Sequence, residues 1–281
     1  MARRRARFLC IWLALGVTAA DACGPAPSDP STGSEPAASS PGPASSPSPS
    51  LDLEPLVAGS RVVRFPASDG VRLGGRLFPG GGPVGLVLSH MGRGGDDQAD
   101  WYPAAAQLAD QGYTVLTYDR RGVCPGDLEG CSGGDDDFSE HWRDVLGAIA
   151  YLHRRGVDEV FAAGASIGAM ASFRAVEEPG HGAAGVIWVA GLDFGSGYRF
   201  TRPDVRRVEI PKLFVSSEGD AYNAAEAARI MFGYAVRPKR LLILPGEEHG
   251  TDMLRPGSEG GPELIDAILS FLREHSEPGP G

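Results

Sequence analysis

The chain has 281 residues, 42% of them hydrophobic, and a formal net charge of −10. That length suits one catalytic-sized domain with its own apolar core. The acidic balance, with no basic cluster after the first few residues, excludes a surface shaped for nucleic acid; Arg202, Arg206 and Arg207 come nearest to one and read as a solvated loop.

Residues 1–22 read as a secretory signal. Arg3, Arg4, Arg5 and Arg7 form a basic start, Phe8 to Ala20 is an apolar run, and Ala20-Asp21-Ala22 sets small residues at the two positions a signal peptidase reads. The run is short for a membrane span, and an uncleaved anchor is the alternative. Cys23 follows where a bacterial lipoprotein carries its lipidated cysteine. Asp21 departs from that pattern, which wants a small residue there and an apolar one at Ala20. Cleavage before Cys23 leaves an exported protein, either lipid-anchored in the envelope or secreted. The lost segment holds four Arg and one Asp, so the mature charge is about −13.

Residues 23–52 are dominated by Pro, Ser, Ala and Gly. Such a stretch buries too little apolar surface to offset its ordering entropy and is expected to be a disordered, Pro-stiffened tether. With Cys10 lost and Cys23 at the new terminus, Cys124 and Cys131 remain, in a Gly/Pro/Asp-rich loop. In an oxidising compartment they are expected to form a disulfide. A metal site is the rival, although there is no C-x-x-C spacing.

The catalytic-sized domain is expected over 53–275, with a disordered tail at 276–281. Arg61 to Phe65 and Val71 to Phe78 alternate around Ser68-Asp69-Gly70, the pattern of an antiparallel hairpin. From there strands and helices alternate. Strands are expected at Val84–Leu88, Tyr113–Tyr118, Val160–Ala163, Gly185–Ala190, Leu213–Ser216 and Leu241–Leu244. Helices are expected at Trp101–Gln111, Phe138–Arg154, Ile167–Val176, Ala224–Phe232 and Pro262–Glu274. This order predicts an α/β domain with a mostly parallel sheet covered on both faces, whose function sits at the carboxyl ends of the strands.

Two segments fit G-x-S-x-G, a pattern for which composition alone predicts roughly 0.4 chance matches. Gly130-Cys131-Ser132-Gly133-Gly134 follows no strand and precedes Asp135-Asp136-Asp137, which is loop chemistry. Gly164-Ala165-Ser166-Ile167-Gly168 follows a strand and opens a helix, as a nucleophile elbow requires. Ser166 is the candidate nucleophile; a helix-capping serine is the structural alternative. A serine needs a base, and the base an orienting acid. His249 follows the strand Leu241–Leu244, while His181 lies in a loop before a strand and His275 at the end of the last helix. Asp220 follows Leu213–Ser216, with Glu218 as the rival acid. The oxyanion hole is expected to combine the backbone N–H of Ile167 with that of Met91, or of Gly92, in the loop after Leu88. His90 reads as a structural histidine bonding its own loop.

Several segments resemble bacterial α/β-hydrolases of dienelactone-hydrolase type. They are Leu88-Ser89-His90-Met91, Trp101-Tyr102-Pro103, Gly112 to Leu116, Tyr118-Asp119-Arg120-Arg121-Gly122, the elbow at Ser166, Ser217-Glu218-Gly219-Asp220 and His249-Gly250-Thr251-Asp252-Met253. The resemblance spans Leu53 to Glu274 and implies the α/β-hydrolase fold and a Ser166–Asp220–His249 triad, without a cofactor. It departs at the nucleophile, a Cys in true dienelactone hydrolases, and at the oxyanion loop, where His-Gly is replaced by His90-Met91.

The sequence therefore points to a carboxylic-ester hydrolase acting on a small-molecule or polymer ester. The rivals are a peptidase, amidase or acyltransferase on the same triad, a non-catalytic envelope protein, and a metal-dependent hydrolase using Asp135, Asp136 and Asp137. Between the strands ending at Ala190 and starting at Lys212 the residues are too few for a cap domain and read as a loop. Tyr198 and Phe200 there are candidate walls of the substrate site, with ordinary packing as the alternative.

Overall fold

The computed structural model describes residues 53–90, 92, 96–124 and 131–276. The signal, Cys23, the tether, Met91 and the last five residues lie outside them. After one turn of helix (α1, Glu54–Val57) come β1 (Arg61–Pro66), β2 (Arg72–Phe78) and β3 (Val84–Ser89). Next are α2 (Tyr102–Asp110), β4 (Thr114–Tyr118), α3 (His141–His153), β5 (Glu159–Ala165), α4 (Ile167–Val176) and β6 (Ala183–Val189). A two-residue hairpin, β7 (Phe194–Gly195) and β8 (Tyr198–Arg199), leads to α5 (Arg202–Arg207), β9 (Lys212–Ser217), α6 (Ala224–Tyr234), β10 (Lys239–Leu244) and α7 (Gly261–His275).

Eight strands form one sheet in the order β1-β2-β4-β3-β5-β6-β9-β10. β1 and β2 are antiparallel to their neighbours, and the six strands from β4 to β10 run parallel. β3 and β9 are buried along their whole length, as sheets covered on both faces require. Along β5, Val160 and Ala162 face one core with Val145, Phe173 and Met231, while Phe161 and Ala163 face the other with Leu108, Ile268 and Phe271. One strand thus feeds two cores because successive side chains point to opposite faces. Among the described residues no helix is long and apolar enough to cross a membrane.

The segment between β6 and β9 carries more structure than the loop expected. Gly195, Ser196 and Gly197 all have positive φ, which folds the tight hairpin. Pro203 sits in the first turn of α5, and Thr201 donates its N–H and hydroxyl to Asp204. That pair ends the loop as a helix start. Arg206 and Arg207, expected in a loop, close this helix. The segment still forms no cap domain.

Candidate active site

Ser166 stands at the junction of β5 and α4 with φ 51° and ψ −118°, a conformation that costs a non-glycine residue about 1–3 kcal/mol. The turn is held by the Ser166 N–H, which donates to Val189 O of β6 at 2.9 Å. The flanking glycines have a steric cause. A Cβ on Gly164 would lie 2.2 Å from the Gly168 backbone, and one on Gly168 would lie 2.3 Å from Ser89 O and 2.6 Å from His90 O. Helix α4 therefore starts in contact with the chain leaving β3. Ile167 is its first residue, so its N–H belongs to the helix's first turn, which has no intrahelical acceptor.

The other two predicted residues converge on Ser166. Asp220 lies after β9 with its side chain fully buried, and its Oδ2 accepts from His249 Nδ1 at 2.7 Å. The carboxylate can only accept there, so Nδ1 carries the proton and Nε2 is left as the acceptor. Nε2 stands 2.8 Å from Ser166 Oγ. The loops carrying acid and base are tied together: Ser217 Oγ donates to Glu248 O at 2.6 Å and Gly219 N–H to Gly246 O at 2.9 Å. Glu218, the rival acid, faces solvent and pairs with Arg229 at 2.6 Å.

Of the two expected oxyanion donors, Ile167 is in place beside Ser166 and Met91 lies outside the described residues. Gly92 has φ 76°, and a Cβ there would collide with the Asp96 carboxylate. The β3 end of this loop is braced: Trp101 Nε1 donates to Ser89 O at 3.0 Å, and Ser89 Oγ bonds Tyr118 Oη at 2.6 Å. Buried His90 accepts the Arg120 N–H at its Nε2, 3.2 Å away, so it bonds the segment after β4 and not its own loop as expected.

The remaining candidates divide differently. Cys124 and Cys131 are brought together, with Cα atoms 4.0 Å apart. Tyr198 and Phe200 go to the core and not to an open wall. Phe200 packs edge-on against Phe173 and Trp188, Tyr198 stacks on Phe200, and the Tyr198 hydroxyl donates to Phe138 O at 2.5 Å. Packing wins because the short hairpin turns both rings inward, where burying them is favourable. The acidic run is occupied with its own segment: Asp136 pairs with Arg120 at 3.0 Å, and Asp137 caps the turn at Ser139. The pKa of His141, 3.2 Å from Asp136, is pushed below the ordinary imidazole value by burial and then by the Arg120 charge.

Sequence reasoning passed over two features. Gln98 and Asp119 lock the chain after β3 to the end of β4 through bonds of 3.0 and 2.6 Å, and Asp119 was visible only within a resemblance segment. Tyr222, two residues beyond Asp220, lies against the His249 ring with centroids 4.5 Å apart, and nothing in local spacing marks it.

A family model described as serine aminopeptidase, S33 (Hydrolase_4), matches residues 86–194. That stretch includes Ser166 and ends before Asp220 and His249. No curated protein matches the sequence. Among solved structures, the chain is similar to an esterase of Pyrococcus furiosus (TM-score 0.64, 14% identity, 81% of this chain and 97% of that one). It is similar also to a malate-bound thermophilic esterase from Thermogutta terrifontis (0.61, 15%, 77% and 100%) and to an enol-lactonase from Burkholderia xenovorans (0.60, 16%, 74% and 99%). Together with the sheet order, these likenesses give this chain the α/β-hydrolase fold.

Proposed function

We propose that this chain is an exported serine hydrolase that cleaves carboxylic esters through Ser166, His249 and Asp220. The observation that carries the reading is the continuous chain of short contacts from Asp220 through His249 to Ser166 Oγ, on a strained turn. His249 takes the Ser166 proton as Oγ attacks the ester carbonyl, and Asp220 stabilises the imidazolium that forms. Backbone N–H groups of Ile167 and of Met91 or Gly92 hold the developing oxyanion. His249 then protonates the departing alcohol. Water, deprotonated by the same ring, attacks the acyl-enzyme and releases the acid. No cofactor takes part.

The esterase reading draws on two structural neighbours described as esterases, and the dienelactone-type likeness on the sequence segments alone. An aminopeptidase reading has the matched family's description on its side and uses the same triad. Export, the lipid anchor at Cys23, the tether and a Cys124–Cys131 disulfide belong to the same proposal and rest on the sequence pattern, the last also on the placement of the two cysteines. A fluorophosphonate probe on the purified protein, followed by an ester, amide and lactone panel, tests the reading. Labelling at Ser166 with ester turnover is expected; unlabelled Ser166 would sink it.

A further inference from the structure

The proton that leaves Ser166 must end on the leaving group, so the leaving oxygen has to come within hydrogen-bond reach of His249 Nε2. Whatever is attached to that oxygen therefore lies beside the imidazole. Among the described residues, Tyr222 has its ring against that imidazole. Its ring centroid is 4.5 Å from that of His249, with the planes tilted by 46°. Among the described residues it is one of three large hydrophobic side chains left open to solvent, at 64% exposure.

The placement is set by the triad's own acid. Asp220 Oδ2 accepts from His249 Nδ1, while its Oδ1 accepts the Tyr222 N–H at 2.8 Å. Asn223 N–H closes the turn on Asp220 O at 3.1 Å, and Asn223 takes φ 60° as α6 begins. One buried carboxylate thus fixes both the imidazole and the backbone carrying the ring. A side chain that served packing alone would be covered; this one has part of its surface against the base and the rest facing outward.

We propose that Tyr222 is the wall of the leaving-group subsite and selects esters of phenols and other flat aromatic alcohols, a specificity that rests on the serine-hydrolase reading above. An aryl leaving group can pack against the exposed part of the Tyr222 ring as it departs, whereas a short alkyl group offers it no aromatic face and little area. Aromatic pairing of this kind favours offset or edge-on contact and adds to simple area burial.

The test compares phenyl acetate with ethyl acetate on wild type, Tyr222→Phe and Tyr222→Ala. Both esters give the same acetyl-enzyme, so kcat/KM reports the leaving group and the deacylation rate does not. In Tyr222→Ala the phenyl-to-ethyl ratio of kcat/KM is expected to fall about two- to twelvefold, from the usual worth of an aromatic pair. Deacylation should stay unchanged, and Tyr222→Phe should keep the wild-type ratio. An unchanged ratio in Tyr222→Ala, with Ser166 still labelled by the fluorophosphonate, overturns the proposal. So does an equal fall for both esters together with slower deacylation, which would make Tyr222 a support for His249 only. Absence of both labelling and turnover in wild type overturns the triad reading itself, and this inference with it.

Discussion

The two G-x-S-x-G segments are alike on paper and opposite in the structure. Ser166 is held at φ 51° with Oγ 2.8 Å from His249 Nε2. Ser132 is buried, and its Oγ donates to Asp119 O at 2.6 Å while accepting the Gly74 N–H at 2.9 Å. The hydroxyl proton and one lone pair are engaged with backbone, so Ser132 fastens the loop after β4 to β2. The glycines differ too. A Cβ on Gly168 would meet backbone oxygen at 2.3 Å, whereas one on Gly134, the matching position, would meet nothing closer than the Val71 side chain at 3.1 Å. The pattern of residue types is thus shared by a strained site and a satisfied one, and their surroundings separate them.

The sharpest way to break this comparison is at the serines. Ser166→Ala should cut kcat on a turned-over ester by about 10⁴-fold or more, while Ser132→Ala should leave kcat within about twofold. Ser166→Gly should lose activity equally yet melt higher, since glycine relieves a conformation worth about 1–3 kcal/mol. Equal activity losses at both serines would end the distinction.

The glycines come next. Gly168→Ala forces α4 away from Ser89 O and should lower kcat/KM by roughly 10²-fold through misplacement of Ser166. Gly134→Ala, at φ 79°, should cost stability yet leave kcat/KM within about twofold. Matched steady-state assays on the two variants decide the point. For stability the ranking reverses: Ser132→Ala leaves the Gly74 N–H without that acceptor and should cost about 1–3 kcal/mol, read as a lower urea midpoint.

The smallest effects concern pH. Asp100, beside the chain leading to α2, is raised to about 7 by burial first and then by Asp96, Asp97 and Asp252. Glu177, at the end of α4, is raised to about 7 chiefly by burial. Each has a carboxylate oxygen buried without a hydrogen-bond partner. Both bind protons more tightly folded than unfolded, so the stability they allow is full below about pH 4 and is lost as pH rises through about 7. Asp100→Asn and Glu177→Gln should raise the melting temperature at pH 8 by about 2–4 °C per kcal/mol recovered, and by less at pH 5.

Much of this was legible in the chain. The alternation of apolar runs placed every long strand and helix of the sheet and its covers, because periods of 2 and 3.6 are local properties. Strand-then-helix context also separated Ser166 from Ser132. The short hairpin at Phe194–Arg199 and α5 were not read, although Thr201-Arg202-Pro203-Asp204 carries a helix-start pattern. Two-residue strands have no period to detect. Tyr198 and Phe200 looked like wall residues because nothing local says which way a hairpin turns its rings.

The sequence by itself determined the α/β architecture, the order Ser, Asp, His, and the strand end from which each emerges. Only the tertiary structure decided which acid lies against His249. Asp220 and Glu218 are two residues apart, and the one that reaches His249 is chosen by bonds such as Ser217 to Glu248, between positions 31 apart. The same holds for Ser166 and His249, 83 residues apart, and for the Tyr222 ring against the imidazole. Local pattern fixes where a strand ends, because it depends on neighbours along the chain. What a loop side chain faces depends on segments that become neighbours only once the sheet has formed.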